Sequence, residues 1–338
     1  MKGISTIIAT ILLVVITIGL VSTAYLFVGG VLTGQISKVI SLVDAKAHKV
    51  IVRNDGTATI SSDDISISVN GQEADIVKPQ EIEPKDTVIL RFIPPELEIK
   101  SAKINVLGAS NTLSYTTDIK PSTPTAKSGT AGLWHLDENA DDSSGNGNTG
   151  TLNNFDWTPI SGWSSDCMVG SCLIFDRTDD FVQIADSDEL DMNFEITIGA
   201  WVKVRGNFGN WRTISDKSDS DDSEYWFGYG NNNRPCLMLN WTNGDSRKYF
   251  YGDTVITDSE WHHIFGVYNG TDVRVYLDGQ LDKSPPVAET REINHGDGTF
   301  QIGHTVVFGA NRFNGTIDEI IILNKALTHE EILDMMYG

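Results

Sequence analysis

The sequence predicts a mainly β protein led by one hydrophobic helix, and three observations predict it. Between Lys2 and Lys38 no side chain carries a charge. From about Lys38 onward, short segments alternate apolar and polar residues and end in turn pairs such as Asn70-Gly71 and Asp278-Gly279, the period-two pattern of strands. A Pro/Ser/Thr-rich stretch at 119–130 reads as a linker between two such regions. The predicted parts are a leader at 1–3, a helix at 4–37, a small β-sandwich at 38–118, the linker, and a larger β-sandwich at 131–338.

The apolar run exceeds the about 20 residues that span a bilayer. A helix from Ile4 to Leu32 would be roughly 43 Å long at about 1.5 Å per residue, against a hydrocarbon core of about 30 Å. A cleaved secretory signal has a shorter apolar region, of about 7–15 residues. Lys2 on the short side favours an outward-facing C-terminal bulk. MKG followed by ISTIIATILLVVITIGLVSTAYL resembles the class III signal peptide and helix of archaeal type IV pilins and archaellins. That resemblance implies cleavage between Gly3 and Ile4 by a prepilin peptidase. It also implies a helix that sits first in the membrane and then among other pilin-like subunits in a filament core. The segment Ile4 to Ile8 holds no Glu, so assembly arguments based on such a residue do not apply. A plain membrane anchor is the alternative.

KVIVRNDG, DISISVNG, TVILRFIP, AKINVLG and NTLSYTT supply the strands of the small sandwich. Short strands with turns about every ten residues suggest an immunoglobulin-like domain, a stalk or filament shell with no catalytic set.

The formal net charge of -21 is uneven. Residues 1–118 carry 10 Lys+Arg and 12 Asp+Glu, and residues 119–338 carry 15 and 34. The acidic part repels nucleic acid and attracts cations.

AGLWHLDENADDSSGNGNTGTL, CLIFDRTDDFVQI, ITIGAWVKV, WHHIFGVYNGTDVRVYLDGQ and FNGTIDEIIILNKALTHEEI together resemble laminin-G-like, concanavalin A-like jelly-roll domains. The resemblance implies a two-sheet sandwich, with Trp201 and Trp261 in its core. Members of this fold can hold a structural Ca²⁺, which takes six to eight hard oxygen ligands. The first and last strands are neighbours in such a fold, which points to Asp142, Asn146, Asp176 and Asp318 as ligands, with Asp137 and Asp141 as substitutes. Glucanases share the fold, with catalytic carboxylates in an ExDxE or ExDxxE pattern. Here Glu189-Leu190-Asp191-Met192-Asn193-Phe194-Glu195 is one residue too long, so no enzyme is expected.

Trp211, Tyr225, Trp226, Trp241, Tyr249 and Tyr251 are candidate sugar platforms, interleaved with Asn210, Asp222, Asn231, Asn240 and Asn243. Cys167 and Cys172 flank Gly170 and can close a small disulfide, whereas a zinc site lacks two further ligands. Cys236 reads as a core residue. Asn240, Asn269 and Asn314 open N-x-Thr triplets, the pattern of N-glycosylation. The expectation is a cell-surface, pilin-like subunit with a lectin-like domain that binds an extracellular glycan or glycoprotein. A membrane-anchored hydrolase and a purely structural envelope protein are the alternatives.

Overall fold

The structure, a computed structural model, describes residues 38–337 apart from 47, 78–80, 110, 207–210, 220, 221, 231, 245, 284 and 308–310. The expected leader, the helix at 4–37, the Gly3–Ile4 bond, Asn210 and Asn231 lie outside the described residues. Among those described, no helix is long and apolar enough to cross a membrane. The chain divides into two compact units, with the boundary between Lys120 and Pro121.

The first unit holds seven strands: β1 (Ile40–Lys46), β2 (Lys49–Asn54), β3 (Ile65–Val69), β4 (Gln72–Val77), β5 (Thr87–Ile93), β6 (Ile99–Val106) and β7 (Leu113–Ile119). They form one antiparallel sheet in the order β1-β2-β5-β4-β3-β6-β7. Strands β2, β3 and β6 bury alternate residues, among them Val50, Val52, Ile67, Val69, Ala102 and Ile104. The side-chain amide of Asn111 exchanges two hydrogen bonds with the Ile40 backbone, so the two ends of the sheet meet. The expected sandwich is therefore one sheet curled on itself, continuous through the β3–β4 pairing. Asn70 and Gly71 both take positive φ (50° and 87°), as the tight turn between β3 and β4 requires.

The second unit opens with β8 (Thr130–Trp134), β9 (Gly150–Asn153), β10 (Gly162–Ser164), β11 (Cys172–Asp176) and β12 (Phe181–Ile184). It continues with β13 (Ile196–Val204), β14 (Arg212–Ser218), β15 (Ser223–Tyr229), β16 (Pro235–Leu239), β17 (Lys248–Tyr251) and β18 (Trp261–Tyr268). It ends with β19 (Asp272–Leu277), β20 (Gln280–Leu281), β21 (Val287–Ala288), β22 (Thr299–Ile302), β23 (Asn314–Leu323) and helix α1 (His329–Tyr337). One sheet has nine strands: β10-β11-β23-β13-β18-β19-β20 in order, with β21 on β19 and β8 on β23. The other has seven, β17-β16-β15-β14-β22-β12-β9.

The core lies between these sheets. Trp134 of β8 stacks on Phe300 of β22 at 5.3 Å, and Phe175, Ile198, Phe227 and Leu237 are fully buried around them. Each such side chain contributes about 1.5–3 kcal/mol. Trp201 is buried as expected of a core residue, and Trp261 is half-buried. The sequence reading omitted α1. Its residues Ile332 and Met335 pack with Leu133, Phe265, Val267, Tyr276 and Ile321. This covers the outer face of the nine-stranded sheet, and it accounts for the burial of nearly every residue of β13 on both faces.

Candidate functional site

The sequence-derived aromatic candidates separate by face. In β15, Tyr225 and Phe227 point into the core while Trp226 points out. Tyr225 is fully buried and its hydroxyl donates to the Leu190 carbonyl at 3.0 Å. Trp241 is also in the core, with the Arg291 guanidinium 4.4 Å over its ring. Tyr225 and Trp241 are corrected from binding to packing residues because neither ring reaches solvent, and so is Trp226, which is 1% exposed although it points away from the core.

Trp226 and the remaining three meet on the outer face of the seven-stranded sheet. Trp226 pairs in register with Met238, and Met238 with Tyr249, while Cys236 pairs with Tyr251. Residues two apart on one strand share a face, so these side chains form two adjoining rows. Trp226, Cys236 and Met238 make a buried floor. Trp211, Tyr249 and Tyr251 stand on it half-buried. The Trp211 ring lies 4.9 Å from Tyr249 and 6.2 Å from Tyr251, and the two tyrosines stack at 6.4 Å. Trp226 is anchored through its indole N–H to Thr213 Oγ1 at 2.8 Å.

Polar groups flank the rings. Burial raises the Tyr249 phenol, with opposing and reinforcing charge from Arg247, Asp216 and Asp222. Burial likewise pushes Tyr251 up to about 12. Arg247 pairs with Asp222 at 3.3 Å, and Asn240 donates to the same carboxylate at 2.6 Å. Gly230 leaves room for Tyr251: a Cβ there would lie 2.5 Å from its ring and 3.1 Å from Asn232. Asp216, in register with Trp226, is fully buried and is pushed up to about 6 by that burial.

The four expected calcium ligands fall into three separate hydrogen-bonded groups. Asp142 accepts from the backbone of Leu133, Ser144 and Asn148 and from the Ser144 hydroxyl, so it builds a turn. Asn146 gives its amide to the Thr130 and Ala131 carbonyls of β8. Asp176 meets Asp179 and Asp180, with one oxygen of each within 4.8 Å of the others. Asp318 lies instead with Glu319 and Asp137, and its two backbone donors are Met168 and Val169 at 3.1 and 3.0 Å.

A bulge in β23, with Glu319 at φ 50°, shifts the register against β13, so successive acids are both buried. Asp318 Oδ1 and Glu319 Oε1 have no hydrogen-bond partner. Burial, then the Glu319 and Asp137 charges, hold the Asp318 carboxyl at about 8. Glu319 is bonded to His135 Nδ1 at 2.5 Å, which raises the imidazole. Asp142 and Asn146 spend their polar atoms on turn and strand backbone, whereas Asp318 and Glu319 each leave one oxygen without a partner. His135 was missed by sequence reasoning because its partner is 184 residues away.

Cys167 and Cys172 are bonded, and Cys236 is free and buried. The Asn240 amide is buried and committed to Asp222, so it is no glycan acceptor in the folded chain. Asn269 sits in a half-exposed turn, and Asn314 begins β23 half-exposed. The glucanase-like acids do not share a strand. Asp191 pairs with buried Lys217 at 2.9 Å, Glu195 accepts from the Ala326 backbone, and Glu189 lies in a 3₁₀ turn.

A family profile described as the concanavalin A-like lectin/glucanases superfamily, Laminin_G_3, matches residues 176–333, and that segment is a concanavalin A-like jelly roll. Comparison with curated proteins gives no match. One similar solved structure is domain 4 of an extracellular GH43 arabinanase from Geobacillus stearothermophilus, in complex with arabinotriose. It shares 19% identity over 63% of this chain and 99% of that one, at a TM-score of 0.47. Another is the binding domain of Paraclostridial mosquitocidal protein 1 (16% identity, 61% and 51% covered, TM-score 0.47). A third is the binding domain of botulinum neurotoxin serotype G (15%, 61% and 50%, 0.46). The match spans about half the length of these two toxin fragments.

Proposed function

Taking a concanavalin A-like jelly roll as premise, we propose that residues 121–338 form a carbohydrate-binding head of a surface-displayed protein. The observation that carries this is the group of three half-exposed rings, Trp211, Tyr249 and Tyr251, on the buried floor of Trp226, Cys236 and Met238. Aromatic faces bury the C–H face of a sugar ring. The Arg247–Asp222 pair and Asn232 beside them supply partners for hydroxyls. The chemistry is binding and not hydrolysis, because the acids near the motif are committed to ion pairs and backbone donors.

The uncharged N-terminal stretch and its MKG leader support anchoring in a membrane or assembly with pilin-like subunits after prepilin peptidase cleavage. A disulfide suits an exported protein. Ca²⁺ would be held by the unpartnered oxygens of Asp318 and Glu319, where it would neutralise charge and fix the last strand. Affinity electrophoresis of the full chain through gels containing arabinan, xylan, galactomannan or β-glucan tests the reading. Retardation in at least one gel is expected, and free migration in all of them contradicts it.

A further inference from the structure

A second aromatic surface stands at the opposite edge of the seven-stranded sheet, in the segment that joins β9 to β10. Trp157 is 59% exposed there and Ile160 is 55% exposed. Trp157 contacts Trp163 at 6.1 Å and the buried Phe155 at 5.9 Å, and Phe155 packs edge-on against Phe175 of the core. The ring is therefore held from below while one face is open.

The backbone presenting it is unusual. Trp157 has φ 55°, in the left-handed region that a bulky residue seldom occupies. Thr158 and Ser161 exchange two backbone hydrogen bonds at 2.8 and 3.1 Å, closing a tight hairpin. Gly162 is required beneath it, since a Cβ would sit 3.0 Å from the indole. Fully buried Ser161 accepts from the Asp156 backbone at 2.9 Å and donates to Asp180 at 3.0 Å. Arg205 ties the Ile160 carbonyl to that of Phe175. A strained, rigidly braced and exposed tryptophan is not explained by packing alone.

We propose that this hairpin is a second carbohydrate-binding platform, which takes a neutral sugar ring on the open face of Trp157. The surroundings choose the ligand class. Asn154 and Asp156, exposed on the same segment as the ring, can accept hydrogen bonds from hydroxyls. With 34 Asp+Glu against 15 Lys+Arg in residues 119–338, an anionic lipid surface is repelled. A neutral glycan carries no such penalty. The platform does not depend on the face at Trp211, and two separate sites on one head raise avidity for a polysaccharide.

The test is affinity electrophoresis of the full chain in the same four polysaccharide gels, starting from a Trp211→Ala/Tyr251→Ala background. That background should still be retarded, and adding Trp157→Asn should abolish the retardation. Asn tolerates positive φ, so Trp157→Asn should leave the melting temperature unchanged or higher. Retardation unchanged by Trp157→Asn overturns the assignment, as does free migration of the unmutated chain in every gel. A melting temperature that falls by more than 5 °C in Trp157→Asn and recovers in Trp157→Phe, with retardation intact in both, would show a packing residue instead. Loss of binding from Trp211→Ala alone removes this platform and leaves the other face standing. Loss from Trp157→Asn alone does the reverse.

Discussion

Opening the Cys167–Cys172 bridge tests how the loop and the last strand hold one another. The bond closes a loop of sequence separation 5 ahead of β11, where Cys172 is fully buried. Cross-linking so short a loop restricts the unfolded chain by roughly 2 kcal/mol. The loop also gives the Met168 and Val169 backbone N–H groups to buried Asp318, and that of Ser171 to Asp137. If the opened loop moves away, a buried carboxyl loses its donors, at about 1–3 kcal/mol for a group left unsatisfied. The expected loss is therefore about 2–5 kcal/mol. For a unit of this size each kcal/mol is about 2–4 °C, so the melting temperature should fall by at least about 4 °C. All 8 tryptophans lie beyond residue 120, so tryptophan fluorescence reports on this unit within the full chain. The comparison is the unmutated chain with and without reductant, beside Cys167→Ser/Cys172→Ala. The variant should melt like the reduced chain and ignore reductant. A variant within 1 °C of the oxidised chain would refute the coupling.

Three further outcomes are expected. Chelator should lower the melting temperature of the unmutated chain, while Asp318→Ala should not respond; at free Ca²⁺ about 100-fold above the dissociation constant the difference is about 2.7 kcal/mol. His262 bonds both Asp258 and Asp278 and, although burial alone would lower it, those carboxylates raise it to about 9. Its contribution is therefore complete below about pH 6.5 and is lost as pH rises through about 9; a His262→Gln chain should lack that loss in denaturant titrations. Mass spectrometry of the exported chain should show an N-terminus at Ile4, and a retained Met1 would reduce the N-terminal segment to a plain anchor.

The jelly roll was legible because its strands carry local signals, such as the Asp278-Gly279 turn that ends β19, with both φ positive at 50° and 78°. Helix α1 had a readable signal that went unused. Thr328 and Glu331 form a reciprocal capping box, with backbone–side-chain bonds of 2.8 and 3.3 Å. Which rings face outward was not legible. Tyr225 and Trp226 are neighbours on one strand, and the sequence does not say which of them faces the second sheet. Asp318 and Asp137 were named from the sequence, but the burial of Glu319 beside Asp318 and its bond to His135 were not legible. The β23 bulge at Glu319 breaks the alternation on which strand reading depends, and His135 reaches it only through the pairing of β8 with β23. Trp157 was missed because its exposure follows from a hairpin held by Ser161 and Asp180, which no local pattern announces.

The face of Trp211, Tyr249 and Tyr251 is the proposed carbohydrate site. The direct measurement is calorimetric titration of the full chain with an oligosaccharide cut from whichever polysaccharide retards it, beside Trp211→Ala and Tyr249→Ala. Each variant should bind at least tenfold more weakly, about 1.4 kcal/mol, while remaining folded at the titration temperature. Equal affinity in all three chains would contradict the account.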